Sequence, residues 1–440
     1  MDRFSVVLII LNFVIVVEII YFYTTNKFTA DVNNSLDINI SPHVSPSTPT
    51  KTKLMFFKTH KCGTSSLVTI LYMYGIRRNL TFLLTPYEHQ FYNDRPPQSL
   101  GERYDILCQH HRLTSGWDHF RPGVVNPRLP RNETFYFTIL RNPEEQFVSN
   151  FQYFDHDIRI LKSHPGAGVN EVLGILFKEV SKTKRLICDR VFNPMSFDLG
   201  FTRFQYIKSI SRLSEEKQMH IFIRYLESQF DLIMIMEHFD VSLIFLMHSL
   251  NWSIEDIAYM KKMPKSYSDF RNASFDSVLS ERAQTDSKSL ELSEENLNLL
   301  RKHNRLDIKV YQHFATKLKM KSEVSNQTFL KGNLVKLQDQ RGNLSVNCSR
   351  RENDESLIER IINLKRFLSS DNRENPDCEL WYIGDVFISK ALSAKQDPNF
   401  SEAYSHVLRE NNVNFVDYES ITWAVNLFDK IRLQYLNTLV

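Results

Sequence analysis

Lys58, Thr59, His60, Lys61, Cys62, Gly63, Thr64, Ser65 and Ser66 follow one another without a break and have the clearest chemical potential in this chain. They stand directly after the apolar run Leu54-Met55-Phe56-Phe57 and before a stretch in which Leu67, Ile70, Leu71 and Tyr74 fall at i, i+3, i+4 and i+7. The pattern predicts a buried strand that ends in a polar loop and enters a helix with one buried face, with Gly75 as its C-terminal stop. Such a loop aims backbone N–H groups and the positive end of a helix dipole at one point, where phosphate-like anions bind. The common nucleotide-triphosphate loop carries its lysine after a second glycine. Here Lys61 precedes the only glycine of the loop, which argues against a kinase or nucleotide hydrolase.

A second candidate begins at Arg141, which follows Phe135-Tyr136-Phe137-Thr138-Ile139-Leu140, with Ser149 eight residues on. Asn142 reads as a helix cap, Pro143 as the first helical position, and Glu144 and Glu145 as acids in the first turn. Phe147, Phe151 and Phe154 give that helix its buried face. A guanidinium offers a forked, charge-assisted grip on phosphate, and a hydroxyl adds a neutral bond. Two anion sites on adjacent strand ends suit a nucleotide with phosphates at both ends. Histidine is the side chain best placed to act as a base near neutral pH. His110 is the preferred candidate, His60 the second and His111 the third.

Further strands are predicted at Leu80 to Leu84, Asp105 to His110, Thr134 to Leu140 and Asp231 to Met236, with helices between them. Their short continuous apolar runs suit strands covered on both faces, so the fold class is α/β with a central parallel sheet flanked by helices. Ligands in such sheets sit beyond the carboxyl ends of the strands, where both anion sites fall. After about Lys319 the strand and helix rhythm is lost until Ser356, which predicts loops before a terminal helical part.

The chain has 440 residues, 42% hydrophobic and 24% charged, which excludes disorder throughout. A formal net charge of +3 gives no sign of bulk nucleic-acid binding. Residues 4–23 are mostly apolar and long enough to cross a bilayer core of about 30 Å as a helix. The run exceeds a secretory signal core and lacks a small-residue cleavage site, so an uncleaved anchor is expected. Residues 1–3 would then be a cytoplasmic tail, 4–23 the transmembrane anchor, 24–53 a Ser-, Thr- and Pro-containing luminal stem, 54–320 the catalytic domain and 321–440 a C-terminal extension packed on it. Flanking charge barely decides the orientation. Ten N-x-[ST] sequons, at Asn33, Asn39, Asn79, Asn132, Asn251, Asn272, Asn326, Asn343, Asn347 and Asn399, agree with a luminal body. Of the five cysteines, Cys62 is expected as a free thiol, and a Cys348 to Cys378 bridge is one option. Their spacing gives no metal-ligand pattern.

The string KTHKCGTSS resembles the 5′-phosphosulfate loop of sulfotransferases, most closely that of the Golgi galactose 3-O-sulfotransferases. LRNPEEQFVSNFQYF is similar to the segment that holds the donor's 3′-phosphate. DILCQHHR, SFDLG, MEHFDVSLIFL, NWSIEDIAYMKK and the Asp307 to Phe314 segment resemble further motifs of that family, over roughly residues 54–318. Cys62-Gly63-Thr64 departs from the more common Thr-Ala-Ser. The resemblance implies a P-loop-like sulfotransferase fold behind a single transmembrane helix, in a type II glycoprotein of the Golgi membrane. It implies transfer of a sulfuryl group from 3′-phosphoadenosine 5′-phosphosulfate to a sugar hydroxyl, foremost the 3-OH of galactose on a glycolipid such as galactosylceramide or on a glycoprotein glycan. No metal is expected. Lys61 would neutralise charge on the bridging oxygen, while Lys58, Thr59, Cys62, Gly63, Thr64, Ser65 and Ser66 hold the 5′ side and Arg141 and Ser149 the 3′-phosphate. A glycosaminoglycan acceptor, or an inactive glycan-binding glycoprotein, is the alternative.

Overall fold

The computed structural model describes residues 51–84, 104–111, 129–153, 168–182, 186–205, 207–260, 291–325 and 327–348, with isolated positions between 378 and 396. The expected anchor, residues 24–50 of the expected stem, Phe154 and most of the expected C-terminal extension lie outside the described residues, while Lys53, placed by the sequence at the end of the stem, begins the first strand. Among the described residues no helix is long and apolar enough to cross a membrane.

Four parallel strands form the sheet: β1 (Lys53–Phe57), β2 (Ile106–Leu107), β3 (Thr134–Leu140) and β4 (Leu232–Ile235), in the order β2-β1-β3-β4. Every residue of these strands is buried, as continuous apolar runs require when helices cover both faces. β1 pairs with β3 from Lys53↔Thr134 to Phe57↔Thr138, and β3 with β4 from Phe137↔Leu232 to Leu140↔Ile235. Phe56 packs on Phe137 at 5.1 Å between ring centroids. Burying each such ring stabilises the fold by roughly 1.5–3 kcal/mol.

Helix α1 (Thr64–Arg77) follows β1 and buries Leu67, Ile70 and Leu71 as the spacing predicts. Gly75 does not stop it. The helix runs two residues further, and the left-handed turn falls to Asn79 at φ 55°. Gly75 is glycine because a Cβ there would meet Phe82 Cζ at 2.3 Å.

The predicted strand at Leu80 to Leu84 is only a single parallel bridge, Phe82↔Ile106, and β2 is shorter than its apolar run. The side-chain amide of Gln396 accepts from Phe82 N–H and donates to its carbonyl, both at 2.7 Å. A side chain there takes the place of a neighbouring strand.

Helix α2 (Pro143–Tyr153) begins as its sequence requires, with Asn142 Oδ1 accepting from Glu144 N–H at 2.9 Å. Its Phe147 and Phe151 meet Phe177 of α3 (Val169–Ser181), Phe192 and Leu300 in a second apolar cluster. The one-turn helix α4 (Pro194–Asp198), α5 (Glu215–Gln229), α6 (Phe239–Leu250), α7 (Ile254–Ile257) and α8 (Glu294–His303) follow.

The loops predicted after Lys319 are instead helical to Asn347. Helix α9 (Arg305–Val324) continues through that point, and α10 (Gln327–Asn347) lies on α6 and α7. Leu330 and Leu337 of α10 are buried, and Arg341 donates to Asp240 Oδ2 at 2.6 Å with its guanidinium over the Tyr259 ring. Cys348, just past α10, is disulfide-bonded to Cys378, the pairing left open by the sequence.

Candidate active site

The loop after β1 is tied to the sheet from below. Thr138 Oγ1 donates to Phe57 O at 2.8 Å, and Thr59 Oγ1 donates to Ile139 O at 2.5 Å. The carbonyls of the loop are likewise drawn into the protein: Gln146 Nε2 donates to His60 O at 3.0 Å and Arg141 to Lys61 O at 3.2 Å. Lys61 and Gly63 take left-handed conformations, at φ 60° and 71°. Gly63 caps α1 with no side-chain hydrogen bond, and no acidic residue stands in the first turn. The first N–H groups of a helix have no intrahelical acceptor, so this end suits an anion. A Cβ on Gly63 would sit 2.3 Å from Met236 Sδ.

Two histidines meet at the same place. The rings of His60 and His110 stack with 4.0 Å between centroids and 16° between planes. His60 Nδ1 lies 2.8 Å and 2.9 Å from the two carboxylate oxygens of Asp198, and His60 N–H donates to Asp198 Oδ2 at 2.7 Å. A carboxylate on Nδ1 fixes that nitrogen as the donor, so Nε2 is the basic one, and the carboxylate stabilises the imidazolium that forms. His110 Nδ1 donates instead to the Lys58 carbonyl at 3.0 Å, a neutral partner. The His60 ring is thus set by a carboxylate and the His110 ring by a backbone carbonyl. The first and second candidates for the base are brought face to face. His111 is not available as a base: it is buried against Phe57, and burial pushes its imidazole down to about 4.

Asp198 is the last residue of α4, and α4 is held at its other end. Asp307 accepts from Met195 N–H at 2.9 Å and Ser196 N–H at 2.8 Å. In return Asn193 Oδ1 accepts from Leu306 and Asp307 N–H at 3.1 and 3.0 Å. Asp307 is fully buried, which pushes its carboxyl up to about 6.

Arg141 bridges the loop and α2, since its guanidinium also donates to Glu145 Oε2 at 3.1 Å. The structure thus brings Lys58, His60, Lys61, His110 and Arg141 together at the carboxyl ends of β1 and β3. Ser65 is exposed, Ser66 and Ser149 are half-buried, and Thr64 is buried at the start of α1. Cys62 points its thiol into the core, where burial pushes its pKa far up, so only its backbone could serve a ligand. The Thr59 hydroxyl is committed to β3. Among the described residues no cluster of three or more His, Cys, Asp or Glu side chains could hold a metal ion. Sequence reasoning missed Asp198, Gln146 and Asp307; Asp198 and Asp307 lie inside segments whose motifs were visible but whose partners were not.

A profile of the galactose-3-O-sulfotransferase family matches residues 1–363. Galactose-3-O-sulfotransferase 2 of Homo sapiens is 27% identical over 310 residues, covering 68% of this chain and 69% of the relative. Galactosylceramide sulfotransferase of Mus musculus is 27% identical over 278 residues, covering 59% of this chain and 55% of the relative. Galactose-3-O-sulfotransferase 4 of Bos taurus is 25% identical over 396 residues, covering 73% and 75%. Against several of these relatives the chain spans only about half of their length, 51% for galactose-3-O-sulfotransferase 2 of Sus scrofa. No solved structure matches the chain. The family match spans well over half of the sequence, and the chain belongs to the galactose-3-O-sulfotransferase family of enzymes.

Proposed function

We propose that this protein transfers a sulfuryl group from 3′-phosphoadenosine 5′-phosphosulfate to the 3-OH of a galactose residue on a glycolipid or glycoprotein glycan. The observation that carries the reading is the bond from Arg141 to the Lys61 carbonyl, which joins the loop beyond β1 to the strand end of β3. Lys58, Lys61 and the N-terminal N–H groups of α1 fit the 5′ side of a donor with anions at both ends. Arg141 and Ser149 fit its 3′-phosphate. The strand–loop–helix order supports a P-loop-like sulfotransferase fold.

His60 takes the proton from the acceptor hydroxyl at Nε2 as oxygen attacks sulfur, and Asp198 stabilises the imidazolium that results. Lys61 neutralises charge on the bridging oxygen as its bond to sulfur breaks, which is electrostatic stabilisation of a loose transition state. The apolar residues 4–23 and the sequons support a type II protein anchored in the Golgi membrane with its catalytic domain in the lumen.

The test is transfer of labelled sulfate to a panel of galactosylceramide, terminal β-galactosides and uronic-acid polymers, with linkage analysis of the products. Labelling at galactose O-3 is the expected result. Labelling confined to the uronic-acid polymers would move the acceptor to glycosaminoglycans, and labelling of nothing would leave a non-catalytic glycan-binding protein.

A further inference from the structure

We propose that Asp307 is a positioning residue for the base: it holds the N-terminus of α4 so that Asp198, at the other end of that single turn, keeps the His60 ring in one tautomer and orientation. The inference rests on the sulfotransferase reading above and extends it by one residue outside the motifs that touch the loop.

The chain of contacts is short, buried at Asp307 and part-buried where Asp198 meets His60. Asp307 accepts from Met195 and Ser196 N–H, so both of its oxygens are set on the first turn of α4. Asp198 is three residues past Met195 and is itself 5% exposed. One helical turn behaves as a rigid unit, because each added residue is fixed by a backbone bond, here Leu199 N–H to Met195 O at 2.9 Å. Asn193, left-handed at φ 49°, locks the same turn to the junction of α8 and α9 by donating to His303 O and accepting from Leu306 and Asp307 N–H. A displacement of α4 therefore moves the carboxylate that His60 leans on. A purely structural pin would not need to end on a histidine ring.

Among the described residues, the charged and titratable groups that face this chain come from the loop and the elements packed against it. His60 faces Asp198 from α4 and the His110 ring, with Lys58, Lys61 and Cys62 on its own loop and Arg141 against the Lys61 carbonyl. Asp307 faces Asp198 and the buried thiols of Cys62 and Cys188.

The experiment reads the titration of the His60 imidazole by NMR in histidine-labelled protein, its signal identified by loss in His60→Gln, beside the pH profile of sulfate transfer. Four proteins are compared: the unaltered chain, Asp198→Asn, Asp307→Asn and the double variant. Asp198→Asn, which removes the carboxylate contact, is expected to shift the His60 signals and the pH profile of transfer measurably. Asp307→Asn is expected to reproduce part of that shift and to lower kcat with the donor KM unchanged. The double variant is expected to match Asp198→Asn alone, because Asp307 acts through Asp198. Unshifted His60 signals in Asp307→Asn, or full additivity in the double variant, overturns the proposal. If Asp307→Asn does not fold, Asp307→Ser keeps one acceptor for α4 and is read the same way; failure of both to fold shows a role in stability only and likewise overturns it. The imidazole titration needs no turnover. Absence of sulfate transfer in the unaltered chain would thus sink the functional reading while leaving the positioning test intact.

Discussion

The imidazoles of His60 and His110 lie face to face at 4.0 Å, with the Asp198 carboxylate on His60 Nδ1 and the Lys58 carbonyl on His110 Nδ1. That asymmetry is why the proposed mechanism assigns the base to His60. His60→Gln is expected to lower kcat by about 10²- to 10⁴-fold, the usual worth of general base catalysis, with donor affinity nearly unchanged. His110→Gln removes a stacking partner and the bond to the Lys58 carbonyl, so its smaller effect should appear in donor binding as well as in turnover. Steady-state kinetics with isothermal titration of the donor separate the two, and a larger kcat loss in His110→Gln would reverse the assignment.

Gly63 has no room for a side chain. It adopts φ 71°, and Met236 Sδ occupies the place a Cβ would take. Gly63→Ala should cost about 1–3 kcal/mol through overpacking and should weaken donor binding as the mouth of α1 shifts. Adding Met236→Ala relieves the contact but not the left-handed backbone, so it should restore only part of the melting temperature. Full recovery of both stability and donor affinity in the double variant would show that the backbone conformation is without consequence.

His111 makes the fold acid-sensitive. Below pH 6.5 the unfolded chain binds a proton at this imidazole that the folded protein refuses until about pH 4, because burial disfavours the charged ring. The stability it contributes is therefore complete above pH 6.5 and is lost as pH falls toward 4, by roughly 3 kcal/mol in all. Urea midpoints measured across this range should fall more steeply in the unaltered chain than in His111→Phe. Parallel curves for the two would show that another group governs the acid limb.

The strands β1 and β3 were legible because each is a continuous apolar run, and the cap of α2 because Asn142, Pro143, Glu144 and Glu145 act on their own neighbours. Leu80 to Leu84 reads as a strand equally well, yet its edge is closed by Gln396, 314 residues away. Helix α10 was hidden for a related reason. Leu330, Leu334, Leu337 and Leu344 do recur at helical spacing, yet Gly332 and Gly342 lower the helix propensity and the sequons at Asn326, Asn343 and Asn347 read as loop signals. Its anchorage comes from partners outside the helix, Asp240 and the Tyr259 ring. The loop of the site announced itself locally, whereas Asp198 stands 138 residues from His60 and could be joined to it only by the fold.

Glu237 ties Tyr311 to the turn that carries Arg141. Glu237 follows the end of β4; its Oε1 accepts from Asn142 N–H at 2.6 Å and its Oε2 from the Tyr311 hydroxyl at 3.0 Å. Asn142 directly follows Arg141, so this carboxylate fixes the turn from which the guanidinium projects. Tyr311→Phe leaves Glu237 with the backbone bond alone and should raise the donor KM about 3- to 10-fold, in keeping with roughly 1 kcal/mol for one hydrogen bond, with little change in kcat. Glu237→Ala should do more, because it removes the acceptors of both Asn142 N–H and the Tyr311 hydroxyl at once. A kcat loss with unchanged donor KM in either variant would place the pair on the acceptor side of the site instead. The order of the two effects matters as much as their size: if Tyr311→Phe were the more damaging, the Tyr311 ring rather than the carboxylate would be what holds the turn.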